Sequence, residues 1–124
     1  MAREIDLGNK AHRTYLREIY GGHGHGNLQT FEYFYEAQCV WEETMARHIA
    51  ENLGEKGNKM IVFSGNGHIV RKFGIPERAA RRVSVSMATI MPYPLDEEVT
   101  LDKGLADYVW LTPSFPHRDG MFHK

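Results

Sequence analysis

The sequence lacks the features that define several special classes of protein. Cys39 is its one cysteine, so no disulfide can form within the chain. There is no signal peptide, no lipidation motif and no apolar run of about eighteen residues, so any export signal is expected upstream of residue 1. The 15 basic and 16 acidic side chains leave a net charge of −1, which predicts no general attraction to nucleic acid or to an anionic membrane. Nothing indicates a Ser-His-Asp triad or a phosphate loop.

The remaining composition is ordinary for one small domain, or for part of one. Of the 124 residues, 42% are hydrophobic and 25% are charged. The charge is unevenly spread, since five of the six charged residues in 71–82 are basic and five of the six in 96–107 are acidic. A basic stretch of this size suits an anionic small molecule better than a nucleic acid. Its basic side chains are Arg71, Lys72, Arg78, Arg81 and Arg82.

Two helices are predicted in the first half of the chain. Asn9 is the expected N-cap of a helix over Lys10–Tyr20, with Gly21 as its stop. A longer helix is expected from Leu28 or Thr30 to Leu53, because apolar and aromatic residues recur there at spacings of three and four. The glycine-rich residues 21–26 between the two helices predict irregular structure.

The second half predicts a small parallel sheet. Met60–Phe63 has the length and β-branched content of a buried strand, and Val83–Thr89 alternates apolar and polar residues as far as Met87. With a short helix over Pro76–Arg82 between them, these segments form a predicted βαβ unit. Asp107–Leu111 is a third strand candidate, and Pro92 with Pro94 is expected to end the second strand.

The predicted fold class is therefore α/β, with a mainly parallel sheet of about three strands, one long helix and the βαβ unit. A parallel sheet needs both faces covered, and these elements are too few to cover it. We therefore expect an incomplete part of a larger α/β domain over residues 1–112, followed by a tail over residues 113–124, or a chain that forms homo-oligomers.

The segment Ser64-Gly65-Asn66-Gly67-His68 carries the first candidate site. Its two glycines allow a tight turn directly after the predicted strand Met60–Phe63. His68 would then lie at the carboxyl end of a strand, where open α/β sheets bind ligands. The alternative is an ordinary turn whose histidine caps a neighbouring carbonyl.

Polar residues also interrupt the apolar face of the long helix. Gln38 and Glu42 share that face with Tyr35 and Trp41, where an unpartnered amide or carboxylate is costly. They are either pocket residues or members of a solvent-exposed boundary, with Glu42 at the solvent edge.

The remaining metal-binding residue types have ordinary explanations. His23 and His25 could hold a metal from an extended loop, but no third ligand is near, so a flexible loop is the alternative. Cys39 is expected to be inert core. His12 and His48 are expected on helices as surface or packing residues.

Four motifs, in this order, resemble the ChaN-like haem-binding family of the wider Tiki and erythromycin-esterase-like group. They are Tyr35-Glu36-Ala37-Gln38, Trp41-Glu42-Glu43-Thr44-Met45-Ala46, Gly65-Asn66-Gly67-His68 and Gly74-Ile75-Pro76-Glu77-Arg78. Two departures stand out, because Glu42 replaces the family's usual aspartate and the wider group's earlier Gly-x-x-His motif is absent. The chain therefore resembles the C-terminal part of such a domain.

The resemblance implies a non-catalytic protein that binds haem between two subunits, with a link to iron uptake. It implies tyrosine as the iron ligand and basic or imidazole groups on the propionates. We assign Tyr35 as the iron ligand, and Tyr33 and Tyr93 are the next candidates. The alternative is that Tyr35 is an ordinary aromatic residue of the core. The implied haem-binding residues are Tyr35, His68, Arg71 and Arg78, and the pocket residues are Gln38, Glu42, Gly65, Asn66 and Gly67.

The resemblance also leaves two alternative functions open and implies a cellular compartment for the protein. The wider group suggests a metal-dependent hydrolase-like site built on His68 and Glu42, and a structural fragment without ligand is the third alternative. If the full-length protein follows the family's lipoprotein members, the cell envelope is its compartment, and a membrane is reached only through a segment outside this chain. No nucleic-acid partner is expected.

Overall fold

The structure, a computed structural model, describes residues 5–22, 28–54, 57–95 and 101–113. The predicted tail beyond residue 113 and the histidines at 23 and 25 lie outside the described residues. Single 3-10 turns cover Asn66–His68 and Val70–Lys72. The main elements are the helices α1 (Lys10–Gly22), α2 (Leu28–Leu53) and α3 (Ile75–Ala80) and the strands β1 (Ile90–Leu95) and β2 (Tyr108–Pro113).

Helix α1 begins where the sequence predicts. Asn9 Oδ1 accepts a hydrogen bond from the backbone N–H of His12 at 3.0 Å, which confirms Asn9 as the N-cap. The predicted stop at Gly21 is wrong, because the helix continues to Gly22. Positive φ angles among the described glycines occur at Gly57, Gly74 and Gly104, so Gly21 does not adopt the left-handed backbone that a glycine cap uses.

Helix α2 confirms the strongest periodicity in the sequence, with bounds at Leu28 and Leu53. Its inner face packs against α1 around a small apolar core. The buried members of that core are Leu16, Phe31, Tyr35 and Cys39, with Tyr15 and Tyr20 packed against them. Cys39 is fully buried, as predicted.

The sheet has two parallel strands, with Ile90 opposite Tyr108 and Leu95 opposite Pro113. The predicted strand over Val83–Thr89 is wrong, because pairing starts at Ile90 and runs through Pro92 and Pro94. The carbonyl of Thr89, directly before β1, accepts from Tyr108 N at 2.9 Å, so the backbone groups of Thr89 face β2. Because alternate residues of a strand face opposite edges, the odd-numbered residues of β1 face β2 and the even-numbered ones face away from it. The two prolines therefore face the open edge, where no N–H is needed.

The first predicted strand is also wrong. Met60–Phe63 has no strand partner among the described residues, and Ile61 and Phe63 are 83% and 92% exposed. Apolar β-branched composition favours an extended backbone, but a strand needs a second strand to bond with. The small parallel α/β architecture is thus confirmed with two strands, and the strand candidate Asp107–Leu111 is confirmed as β2. Within the described residues no third strand is present, and the predicted βαβ unit is not formed.

A side-chain clamp holds the start of the sheet together. Asp107 Oδ2 accepts from the backbone N–H of Thr89 at 2.8 Å, and Asp107 N donates to Thr89 Oγ1 at 3.1 Å. Lys72 Nζ lies 2.6 Å from Asp107 Oδ1. Hydrogen bonds from Lys72 and from the backbone of Thr89 lower the pKa of Asp107 from its ordinary value of 3.8.

We expect Asp107→Ala to lower the melting temperature and to speed amide exchange in β1 and β2, because the clamp is lost. Since the folded-state pKa is depressed, this stabilisation is present above pH 3.8 and is lost as the pH falls through the folded-state pKa. Thermal unfolding between about pH 2 and 7 checks this linkage. The control is Asp102→Ala, whose carboxylate pairs with Arg71 on the surface. Equal effects of the two substitutions would contradict the clamp.

Candidate functional site

Side chains from three helices and the glycine turn converge at one point, which we call the polar cluster. It consists of His12 from α1, Gln38 and Glu42 from α2, His68 from the turn and Arg78 from α3. His12, Glu42 and Arg78 are buried, while the side chain of His68 is 26% exposed. Buried charges on this scale are tolerated only when they neutralise one another.

Glu42 is the centre of the polar cluster. Its Oε1 accepts from Gln38 Nε2 at 2.9 Å and lies 3.2 Å from His68 Nδ1 and 3.7 Å from His12 Nε2. Its Oε2 lies 3.5 Å from Arg78 Nε and makes no hydrogen bond within the described structure. The predicted alternative of Glu42 at the solvent edge is therefore wrong.

His68 is held through one side of its ring. Nδ1 lies 2.8 Å from Gln38 Nε2 and 3.2 Å from Glu42 Oε1. With the proton on Nε2, Nδ1 accepts from Gln38, and with the proton on Nδ1 the ring donates to Glu42. Within the described structure Nε2 has no polar partner, and it can bind a metal when the proton lies on Nδ1.

Arg78 links the polar cluster to its surroundings. Its Nη1 donates to Glu43 Oε2 at 2.7 Å and its Nη2 donates to the carbonyl of Asp6 at 2.9 Å. Burial disfavours the guanidinium charge, but the hydrogen bond to Glu43 and the nearby acidic groups outweigh it and raise the pKa of Arg78.

Burial has the larger effect on His12 and lowers its pKa from the ordinary value of 6.5. The charge of Glu42 opposes this shift without cancelling it, so the ring is neutral at pH 7.

The motif Gly74-Ile75-Pro76 lies directly against the polar cluster, and its first residue has to be glycine. Its φ is +68°, and a Cβ atom there would lie 2.7 Å from both Glu42 Oε1 and the carbonyl of His68. Only glycine combines that backbone with that approach. Helix α3 then starts within one residue of Pro76 and carries Arg78 into the polar cluster.

The basic stretch predicted to bind an anion is largely neutralised by acidic side chains. Arg71 contacts Asp102 at 2.5 Å, Lys72 contacts Asp107, and Arg81 contacts Asp6 at 2.5 Å. Arg78 and Arg82 share Glu43. The acidic stretch thus supplies partners to Arg71 and Lys72, whereas the three arginines further along the basic stretch pair with Asp6 and Glu43.

The predicted site residues fall into two groups. Gln38, Glu42, His68 and Arg78 come together in the polar cluster, and Gly65, Asn66 and Gly67 form the turn beside it. Tyr35 lies apart in the apolar core, fully buried, with its hydroxyl donating to the carbonyl of Leu7 at 3.3 Å. Burial raises the pKa of Tyr35. Arg71 lies at the surface with Asp102.

His12 is the site residue whose role the sequence reasoning missed. It is a buried residue, as the packing alternative predicted, but both ring nitrogens lack a hydrogen-bond partner in the described structure. The sequence did indicate that His12 is buried, because His12 precedes Leu16 by one helical turn and so shares the buried face of α1.

An apolar groove of about 890 Å³ runs beside the glycine turn. Asn66 and Ile69, which flank His68 in the chain, belong to its lining. Most of the remaining lining is apolar, including Met60, Val62, Phe63, Met87 and Trp110. Apolar clefts of this size beside a few polar groups are typical of sites for cofactors and small molecules.

Comparison with known proteins identifies the class to which this arrangement belongs. A family described as haem-binding uptake, Tiki superfamily, ChaN matches residues 1–79, which is 79 of the 124 residues and includes the polar cluster. The chain belongs to this ChaN family, and the resemblance carried by the four motifs is confirmed. No curated protein and no solved structure matches the chain significantly. Among the described residues, no helix is long and apolar enough to cross a membrane.

Proposed function

We propose that this chain binds haem in the apolar groove and that His68 is the iron ligand. The proposal starts from the family, whose description is haem-binding uptake. The single observation that carries it further is a partly exposed imidazole, anchored through Nδ1, in the turn whose residues Asn66 and Ile69 line the apolar groove. Bound haem would supply an iron centre with open coordination positions.

The anchoring of His68 is the arrangement that metal-ligating histidines use. Such a ring commonly donates one N–H to a carboxylate and binds the metal through its other nitrogen. Here the proton on Nδ1 would donate to Glu42 Oε1, 3.2 Å away, and Gln38 Nε2, which lies 2.8 Å from Nδ1, would turn from the ring and donate to Glu42 Oε1 alone. Nε2 is then the ligand atom. Histidine is a common proximal ligand of haem iron.

The other implied haem-binding residues fit unequally. The hydroxyl of Tyr35 is sealed in the core and bonded to Leu7, so it reaches an iron only if residues 5–9 move away. Arg78 is equally buried. The side chain of Arg71 is 36% exposed, and its surface pair with Asp102 is of the kind that contributes about 1 kcal/mol or less, so it can exchange for a propionate.

The open groove also supports haem binding between two copies of the chain, as the resemblance implies. Ile61 and Phe63 on its wall are largely exposed, and apolar surface of this kind favours a partner. A second copy would cover the haem face that the groove leaves open. A link to iron uptake belongs to the same proposal and follows from the family alone.

A haemin titration followed by the Soret absorption tests the function. We expect saturable binding by the wild-type chain and a loss of at least about tenfold in affinity with His68→Ala, because the iron ligand is removed. His48→Ala is the matched control, since His48 lies exposed on α2 beside Glu51, and it should bind as the wild type does.

Tyrosine variants decide between the two ligand assignments. Tyr35→Phe should keep the Soret spectrum of the wild type, as should Tyr33→Phe, whose tyrosine is exposed on the same helix. If Tyr35→Phe loses a tyrosinate spectrum that the wild type shows, and His68→Ala binds haemin as the wild type does, then Tyr35 is the iron ligand. Absence of any saturable Soret change in the wild type would reject haem binding, and sedimentation with and without haemin would test the two-copy arrangement.

The alternative of a metal-dependent hydrolase on His68 and Glu42 has weaker support. Glu42 has no exposed surface, and its oxygens face Gln38, His68, His12 and Arg78. A general base must reach the proton it removes directly or through one water. Glu42 therefore serves as an anchor for His68 better than as a base.

A further inference from the structure

Three metal-binding side chains lie together between α1 and α2, and only one of them, Glu42, also takes part in the haem proposal. His12 comes from α1, and Cys39 and Glu42 come from successive positions on the inner face of α2. One ligand atom from each of the three lies within 4.8 Å of the others, and all three side chains are fully buried.

The hydrogen bonding of this trio is incomplete. Both ring nitrogens of His12 and the Oε2 atom of Glu42 are buried without a hydrogen-bond partner in the described structure. A buried polar atom left unpaired costs about 1–3 kcal/mol. Of these atoms His12 Nε2 faces Glu42, 3.7 Å from its Oε1, whereas Oε2 faces Arg78 Nε at 3.5 Å. The unpaired Nε2 indicates that a further group belongs between His12 and Glu42, and nitrogen, thiolate and carboxylate donors together suit a transition metal.

We propose that His12, Cys39 and Glu42 bind a divalent ion of the zinc class. Zinc accepts nitrogen, sulfur and oxygen ligands at about 2.0–2.3 Å, which in a tetrahedron sets donor atoms about 3.3–3.8 Å apart. His12 Nε2 and Glu42 Oε1 are already 3.7 Å apart. The remaining separations, all within 4.8 Å, need to close by about 1 Å at most, which side-chain rotation provides.

The neighbours of the trio are compatible with a cation. Arg78 Nε lies 3.5 Å from Glu42 Oε2, but the guanidinium is held independently by Glu43 at 2.7 Å and by the carbonyl of Asp6 at 2.9 Å. Gln38 and His68 contact Glu42 Oε1, the oxygen that faces His12, so this oxygen would bind the ion while keeping hydrogen-bond partners, as ligating carboxylates do.

The trio supplies three ligands, so a tetrahedral ion would take an enclosed water as its fourth, and the burial of all three side chains assigns the ion a structural role. Catalytic zinc sites keep a position open to water or substrate, whereas structural sites are closed and contribute to folding. With no exposed ligand, this ion would tie α1 to α2 across the small core around Leu16 and Phe31. The inference does not depend on haem, because His12 and Cys39 have no part in the haem proposal and Glu42 enters it only as the anchor of His68.

Cobalt and zinc titrations of the protein stripped with a chelator test the site. One equivalent of Co²⁺ should give a thiolate-to-cobalt charge-transfer band and tetrahedral ligand-field bands, and one equivalent of Zn²⁺ should displace it. Zn²⁺ should also raise the melting temperature with increasing concentration, because it binds the folded state. Cys39→Ser should abolish the charge-transfer band, and His12→Asn should weaken zinc binding by more than about 100-fold.

Two controls separate this site from others in the chain. His48→Ala with Glu51→Gln removes an exposed histidine–carboxylate pair and should leave the stoichiometric binding unchanged. Circular dichroism of the stripped variants checks that Cys39→Ser and His12→Asn still fold. The proposal is overturned if the wild type binds no stoichiometric Co²⁺, if the band survives Cys39→Ser, or if binding is lost only when His23 and His25 are replaced.

Discussion

Arg78→Met is expected to lower the free energy of unfolding by about 3–5 kcal/mol, the usual effect of removing one partner of a buried ion pair. The substitution leaves Glu42 buried without its guanidinium neighbour and removes the donors to Glu43 and to the carbonyl of Asp6. Methionine keeps much of the volume, so loss of charge rather than a cavity dominates. Urea unfolding measures the change.

The matched control for Arg78 is Arg81 in the following turn. Arg81 pairs with Asp6 at 2.5 Å, but its side chain is 47% exposed, so Arg81→Met should cost no more than about 1 kcal/mol. A second test replaces Glu43 together with Arg78. Arg78→Met with Glu43→Gln should be less destabilised than the sum of the single variants, because the two side chains interact directly. Additive effects, or equal losses at Arg78 and Arg81, would contradict the buried pairing.

Gly74→Ala is expected to lower the free energy of unfolding by about 2–5 kcal/mol, since two costs add. A non-glycine residue at positive φ costs about 1–2 kcal/mol, and forcing an extra methyl group into a packed site costs about 1–3 kcal/mol. The methyl group would lie 2.7 Å from Glu42 Oε1 and from the carbonyl of His68, so the anchor of His68 should shift as well.

Gly104→Ala separates the two costs. Gly104 has φ +94°, but a Cβ atom there meets nothing within 4 Å, so only the backbone cost of about 1–2 kcal/mol applies. Thermal unfolding of both variants, followed by haemin titration, measures stability and the effect on His68. If the two alanine variants lose the same stability, the contact between Gly74 and Glu42 does not constrain this position.

The local features of the fold were predictable because their causes are local. The N-cap at Asn9 and the bounds of α2 depend on side chains within a few residues of one another. The motifs also led to most of the polar cluster, since Gln38, Glu42, His68 and Arg78 do lie together. Their family resemblance is confirmed over residues 1–79.

The strands were mispredicted because composition does not reveal a partner. Met60–Phe63 has the residues of a buried strand, yet within the described structure it is extended, unpaired and exposed. Pro92 and Pro94 suggested the end of a strand, but they lie within β1 because their backbone faces its open edge. Which edge of a strand is open is a property of the sheet.

The sequence by itself determined the helices, the tight turn before His68 and the family. Only the tertiary structure decided the character of the site. It buried His12, Glu42 and Arg78 at one point, kept Tyr35 in the apolar core and paired the basic stretch with acidic side chains. The physical reason is separation along the chain: His12 and Arg78 are 66 positions apart, from their numbers, and no local pattern specifies that they meet at Glu42. Burial and neighbouring charge depend on that meeting, and they determine what each titratable group can do.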